Sequence, residues 1–191
     1  MRVSNNRLFS INFETICVIL LILGVSLGTL CSLSDVNLGI FDSVYFIKNS
    51  DNGFLSGSVF LRYFLFYSIS LACVFLFGMT AVFQPFIILE CVFTGVSFGY
   101  AVSGIYQSGI HNSLLFSVFT LIIPAVITVF SMIIAWREAF GLSVNIAKAL
   151  FSARNFIGFK DAVKIYSVKF FVLEAIIAVS ALIRCIFYSF F

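Results

Sequence analysis

Five apolar runs, each long enough to cross a bilayer, are the feature of this sequence that most limits its fold. A transmembrane helix needs about 20 predominantly apolar residues to cross the hydrocarbon core. Because the runs are continuously apolar and of this length, they predict transmembrane helices. The predicted spans are 13–33, 58–78, 83–108, 113–135 and 165–188. We therefore expect an all-α fold, a polytopic transmembrane helix bundle of five spans that forms a single integral membrane domain over residues 1–191.

Composition supports a membrane protein and excludes several function classes. Hydrophobic residues make up 62% of the chain and charged residues 10%, whereas a soluble domain has about 45–50% and about 25%. Five spans leave no room in 191 residues for a sizeable soluble catalytic domain. The apolar composition makes membrane lipid a predicted partner. Basic and aromatic residues do not cluster in a polar segment, so nucleic acid is not a predicted partner.

The first apolar run has one feature of a secretory signal peptide, a basic start formed by Arg2 and Arg7. The stretch that ends it, "GTLCSLSD", lacks the small residues that a cleavage site needs. Leu30 is also unsuited to a lipoprotein-type site before Cys31. We therefore expect this run to be retained as a span.

The distribution of basic residues predicts the orientation of the bundle. With five spans, eight of the eleven lysines and arginines fall on one side, which the positive-inside rule assigns to the cytoplasm. The amino terminus is thus predicted to be cytoplasmic and the carboxyl terminus to lie outside. The outer loop 34–57, with three aspartates and one lysine, and the short turn 107–112 then face outward.

The polar segment 136–164 is predicted to lie at the cytoplasmic surface as an amphipathic helix. Leu142, Ile146 and Leu150 repeat at helical spacing, with basic residues at other positions. Trp136 suits the membrane–water boundary. Two interpretations stay open, contact with lipid headgroups alone or a docking surface for a cytoplasmic partner.

The third span has two faces of small residues. Because a helix turns by about 100° per residue, a first face groups within about 40° the residues Glu90, Thr94, Ser97, Ala101 and Gly104. Gly95 and Gly99 form a second face on the opposite side. Small faces let helix backbones approach, so we expect the third span to be central in the bundle. Within the first face, Glu90, Thr94 and Ser97 are a candidate functional stripe.

Two spans carry the GxxxG pattern, as "GVSLG" from Gly24 to Gly28 and as "GVSFG" from Gly95 to Gly99. Both spans run from inside to outside in the predicted topology, so the two motifs could pack as a parallel pair. Homodimerisation and coincidence are the alternatives. The residues predicted to set helix packing are Gly24, Gly28, Gly95, Gly99, Gly104, Pro85 and Pro124.

Ionisable residues inside spans are expensive and are functional candidates by default. Glu90 and Glu174 lie within predicted spans. Glu90 is either a proton or cation site, or a protonated carboxyl group hydrogen-bonded to a hydroxyl such as that of Thr94. Arg62 and Arg184 lie nearer span ends and are expected to extend to the outer headgroups.

The chain has no HExxH and no P-loop. The strings "GVSLG" and "GVSFG" match GxSxG in their letters, but both fall inside apolar spans and not on the strand-to-helix turn that this catalytic motif requires. The single histidine, His111, falls on the short outer turn and is expected to be solvated. The five cysteines form no CxxC pair, so neither a metal nor any other cofactor is predicted. Cys31 and Cys185 fall near the outer face, where a disulfide could persist.

From the second span onward, the glycines and prolines occur in a characteristic order. Gly78 ends the second span, Pro85 opens the third, and then follow "TGVSFGYAVSGI", the turn "YQSGIHNSLLFS" and the proline of "FTLIIPAVITV". In this order the chain resembles the stage II sporulation protein M family of bacterial and archaeal membrane proteins, most strongly over residues 60–140. It departs in having "VFQP", where many relatives have glycine before the proline, and "AVIT" after Pro124, where many have polar residues.

The resemblance implies a non-enzymatic scaffold in the bacterial plasma membrane. Such a scaffold would organise peptidoglycan-degrading partners of the stage II D and P type, with a role in engulfment if the host forms spores. The alternative function is a small transporter or permease-like component that uses the Glu90 stripe. A membrane enzyme has the least support, and the oligomeric state stays open.

Overall fold

The computed structural model describes residues 2–34, 55–107, 121–151 and 159–190. Across these residues the chain is helical and contains no strand. The helices are α1 (Arg2–Leu33), α2 (Leu55–Gly78), α3 (Gln84–Gln107), α4 (Ile123–Phe151) and α5 (Phe159–Phe190). All five are long and apolar enough to span a membrane, as the hydropathy pattern predicts.

The outer loop 34–57 falls almost wholly outside the described residues, as does most of the turn 107–112 with His111. The one connection described in full joins α2 to α3 and comprises residues 79–83. Pro85 is the second residue of α3, a position where its missing N–H leaves no helical hydrogen bond unmade. Pro124 is likewise the second residue of α4, after a wider helical turn of the π type at Leu121 and Ile122.

Helix α4 differs from the predicted fourth span. It continues without a break past Ala135 to Phe151, so the first half of the polar segment 136–164 is not a separate surface helix. Trp136 is completely buried, so its ring contacts neighbouring helices and not headgroups. The reason is tertiary, because side chains at 136, 139 and 142 pack into the bundle. Residues 152–158 lie outside the described residues, and α5 begins at Phe159.

Helix packing places α4 at the centre of the bundle. Helix α4 contacts each of the other four helices, whereas α3 contacts α1, α2 and α4. The sequence predicts a central third span; α3 does contact three helices, but α4 contacts all four of the others and is the more central of the two. One face of α4 carries small residues that let its neighbours approach, and this face is buried along the helix. Its small buried members are Ala125, Thr128, Ser131, Ala135, Ala139 and Ser143.

The most extensive helix pair is α1 with α3, and α1 otherwise contacts only α4 substantially. Aromatic side chains fill much of the core between α2 and α5. Phe75 stacks on Tyr166 with ring centroids 5.1 Å apart and meets Phe170 edge-on at 5.3 Å. The Tyr166 hydroxyl donates to the Phe75 carbonyl oxygen at 3.1 Å, so a ring inside the bundle also satisfies its polar atom.

Candidate functional site

Four glycines bring the backbones of α1 and α3 into direct contact. A Cβ atom placed on Gly24 would lie 3.0 Å from the Cα of Gly95, and the reverse substitution would give the same separation. A Cβ on Gly28 would lie 2.9 Å from the Tyr100 nitrogen, and one on Gly99 would lie 2.9 Å from the Val25 Cα. Carbon atoms pack at about 3.5–4.0 Å, so this seam has no room for a side chain at any of the four positions.

Contacts along this glycine seam occur in the same order on both helices, so α1 and α3 are parallel. The Cys17 and Cys91 sulfurs lie 3.6 Å apart near the start of the seam. At its far end, the Gln107 side-chain amide donates to the Ser32 carbonyl oxygen at 3.3 Å. The paired GxxxG motifs thus meet within one chain. Gly104, the remaining glycine of the predicted set, is half-buried on α3.

Glu90 is tied to α2 and not to its own helix. Its side-chain carboxyl accepts a hydrogen bond from the Ser70 hydroxyl of α2. Thr94, the partner considered from the sequence, is buried on the same stripe. The Ser97 hydroxyl donates to the Thr94 carbonyl oxygen at 2.8 Å. Thr94 and Ser97 are therefore covered by neighbouring helices, and the Ser97 hydroxyl is engaged within α3.

Glu174 repeats the arrangement on the other side of α2. Its carboxyl group accepts a hydrogen bond from Ser68, two residues before Ser70. Residues two apart lie on nearly opposite sides of a helix, because each residue turns by about 100°, so the two serines reach different neighbours. A groove of about 430 Å³ opens beside Glu174 between α2 and α5, with mainly apolar walls that include Phe75, Phe170 and Phe171. Sequence reasoning singled out both glutamates but not their serines, because the pairing requires knowledge of which helices adjoin.

A chain of hydroxyl groups crosses the core between α2, α4 and α5. The Ser180 hydroxyl donates to the Pro124 carbonyl oxygen at 2.7 Å and lies 2.9 Å from the Thr128 hydroxyl. The Tyr63 hydroxyl lies 2.9 Å from the same Thr128 oxygen. Because each hydroxyl has one proton, Thr128 must donate to Ser180 and Tyr63 must donate to Thr128. The chain therefore runs in one direction, from Tyr63 to the backbone of α4.

Arg184 lies at this hydroxyl chain and does not extend to the headgroups as the sequence predicts. Its side chain is only 4% exposed, and its guanidinium carbon lies 4.6 Å from the centre of the Tyr63 ring. The attraction of a cation for an aromatic face favours this position over one in the bilayer. Arg62, the other arginine expected at the headgroups, is exposed.

Ion pairs join α1, α4 and α5 at the end of the bundle that the basic residues assign to the cytoplasm. Arg137 bonds Glu14 at 2.8 Å and its neighbour Glu138 at 3.0 Å. Lys169 bonds the second oxygen of Glu138 at 2.7 Å. These side chains are partly exposed, and the network explains how α4 carries two adjacent charges without ending.

The metal-ligand candidates and the pair Cys31 and Cys185 do not form a metal-binding site or a disulfide among the described residues. Within the described ranges no group of three or more His, Cys, Asp or Glu side chains is placed to hold a metal ion. Cys31 and Cys185 are half-buried and are not joined in a disulfide. The polar side chains inside the bundle act mainly on one another and on backbone carbonyls.

The chain has five apolar helices that are held together by glycine contacts and by buried hydrogen bonds. These are the features of a multi-pass helical membrane protein. No family model, curated protein or solved structure matches the chain. The resemblance to the stage II sporulation protein M family therefore stays a prediction from the sequence.

Proposed function

We propose that this protein is a non-enzymatic scaffold in the bacterial plasma membrane that organises peptidoglycan-remodelling partners. The sequence resemblance to the stage II sporulation protein M family supplies the partner class, hydrolases of the stage II D and P type. In a spore-forming host the process would be engulfment. The positive-inside rule places the amino terminus of the scaffold in the cytoplasm.

The observation that carries this proposal is that both intramembrane glutamates are hydrogen-bonded to a neighbouring helix. Glu90 and Glu174 each accept a hydrogen bond from a serine of α2, and each bond joins two helices. Interhelical hydrogen bonds of this kind stabilise membrane bundles by about 0.6 kcal/mol on average. A fixed bundle is what a scaffold requires, since its task is to present surfaces in constant positions.

The transport alternative uses the same residues in a different way. A pathway along α3 would require the Glu90 stripe to face water or a passage. Thr94 and Ser97 are instead buried at 2% and 0% exposure. The Ser97 hydroxyl is moreover bonded to the backbone of α3. These observations favour a structural role for the stripe.

Glu90→Gln is the variant that separates the two functions. The glutamine carbonyl oxygen can accept the Ser70 hydrogen bond, but the side chain cannot release or take up a proton. A scaffold should therefore retain wild-type amounts of folded protein and of co-purified partners. A proton-coupled transporter should lose its activity. Glu90→Leu is the matched control, because it removes the hydrogen bond and should lower the yield of folded protein in either case.

Affinity purification of the tagged full chain from native membranes tests the partner class. We expect peptidoglycan hydrolases among the co-purified proteins, and we expect Glu90→Gln to recover them equally. Recovery of no wall enzyme from membranes that contain folded scaffold would overturn the proposal. Recovery of an ATPase in their place would support the transport alternative.

A further inference from the structure

Two buried thiols from distant parts of the sequence meet between α1 and α3. The Cys17 and Cys91 sulfurs are 3.6 Å apart, and the Cys91 sulfur also lies 3.3 Å from the Ile87 carbonyl oxygen. Both side chains are almost completely buried, at 1% and 0% exposure. The other three cysteines, Cys31, Cys73 and Cys185, are only half-buried.

A disulfide has a sulfur–sulfur bond of about 2.05 Å, so the two sulfurs must approach by roughly 1.5 Å. Rotation of the side chains can supply part of this movement, because the glycine seam already holds the two backbones close together. The parallel order of contacts keeps Cys17 opposite Cys91. The site therefore meets the main geometric requirement for a bridge, which is the close approach of two specific thiols.

We propose that Cys17 and Cys91 form an oxidation site at which hydrogen peroxide links α1 covalently to α3. One sulfur attacks a peroxide oxygen, the O–O bond breaks, and a sulfenic acid and one water form. The second sulfur then attacks the sulfenic sulfur, the S–O bond breaks, and a second water leaves. The two thiols lose two electrons and two protons, and one peroxide is reduced to two waters.

Peroxide suits the site because it is small and uncharged, whereas protein thiol oxidants cannot reach sulfurs covered by helices. The consequence concerns the attachment of α1. This helix packs mainly on α3 through glycines, which provide close approach but no side-chain bond, and it is otherwise bonded near its ends at Glu14 and Ser32. A bridge between Cys17 and Cys91 would prevent α1 from leaving the bundle while it persists. The inference stands on geometry alone and does not require the proposed scaffold function.

The test uses the full chain in native membranes, with Cys31, Cys73 and Cys185 each replaced by serine. After treatment with hydrogen peroxide, the protein is denatured in detergent and labelled with maleimide–polyethylene glycol. We expect the number of labels to fall from two to none. A reductant added before labelling should restore both labels. Intact mass should fall by two hydrogens in the oxidised protein.

The matched control moves one thiol to the adjacent position on α1, in the double change Cys17→Ala with Val18→Cys. Val18 is 40% exposed and lies on another face of α1, so this protein should keep two labels after peroxide. Two labels on the Cys17–Cys91 protein, measured on material that elutes as a folded monomer, would overturn the proposal. A disulfide-linked dimer of two chains would overturn it equally, because the thiols would then face outward.

Discussion

The glycine seam between α1 and α3 can be tested by adding one methyl group at Gly99. A Cβ atom there would lie 2.8 Å from the Val25 carbonyl carbon and 2.9 Å from the Val25 Cα. Both are backbone atoms, which cannot rotate away. The Val25 carbonyl oxygen would lie closer still, so the two helices must separate by roughly 1 Å or more to restore van der Waals contact.

The magnitude follows from two opposing effects. Overpacking against fixed atoms costs about 1–3 kcal/mol, and the backbone contacts at Gly99 place this site in the upper half of that range. Alanine regains about 0.5–1 kcal/mol because it restricts the unfolded chain more than glycine does. We therefore expect Gly99→Ala to lower the free energy of unfolding by about 1–2.5 kcal/mol. Gly99→Leu should lower it further and disrupt assembly.

The assay is unfolding of purified protein in mixed micelles by increasing sodium dodecyl sulfate. The chain has one tryptophan, Trp136, and it is completely buried, so its emission reports the loss of the core. Gly141→Ala is the control, because a Cβ atom there would meet nothing within 4 Å. The same chemical change should therefore stabilise α4 by up to about 1 kcal/mol. A free energy of unfolding for Gly99→Ala equal to that of wild type, or an equal loss in Gly99→Ala and Gly141→Ala, would refute the close backbone contact at the seam.

Three further predictions concern the polar side chains and the orientation. Ser180→Ala should destabilise the bundle by about 1–3 kcal/mol, because it removes the group that accepts from Thr128 and donates to the Pro124 carbonyl oxygen. Tyr63→Phe removes only the hydroxyl that donates to Thr128, so it should cost less in the same unfolding assay. Glu138→Gln should cost no more than about 1 kcal/mol, since its ion pairs are partly exposed, and the difference from wild type should shrink in high salt; a larger, salt-independent loss would contradict this. Reporter fusions after residues 40 and 154 should report opposite sides of the membrane, and the same side for both would refute the predicted topology.

Hydropathy was sufficient to predict five membrane-spanning helices, because the bilayer selects for length and apolar composition. Helical periodicity was sufficient to place Gly95 and Gly99 on one face. Both signals lie within a single segment of sequence. The partner of that face, Gly24 with Gly28, could be proposed because the same motif and a parallel orientation coincided.

The length of α4 could not be predicted in the same way. Arg137 and Glu138 look like the start of a polar surface segment, yet Glu14 and Lys169 from two other helices pair with them. Such pairing depends on tertiary neighbours that a hydropathy window does not contain. The central position of α4 did have a local signal, the regular small residues from Ala125 to Ala139, which sequence reasoning passed over in favour of the glycines of α3.

The same limit applies to the buried polar groups. Arg184 lies near the end of α5, where long basic side chains normally extend to the headgroups. It turns into the bundle because the Tyr63 ring of α2 provides a favourable aromatic face. Nothing within three or four residues of Arg184 in the sequence indicates that ring, which is supplied by packing of α2 against α5.

Helix α2 illustrates how such a bundle can select one arrangement in lipid. Apolar contact distinguishes poorly between a helix and a lipid chain, so polar and small residues must specify which helices adjoin. Within the described part of α2, one side chain bonds to each neighbour: Tyr63 to α4, Ser68 to α5 and Ser70 to α3. Tyr63 and Ser70 are two turns apart on one side of α2 and Ser68 lies on the opposite side, so each would lose its partner if α2 rotated. Helix α1 has such bonds near its ends, at Glu14 and Ser32, and between them its contact with α3 is made through glycines and depends on shape. The two ways of specifying contacts divide the bundle: hydrogen bonds fix the packing of α2 against α3, α4 and α5, and the glycine seam adds α1 to the face of α3.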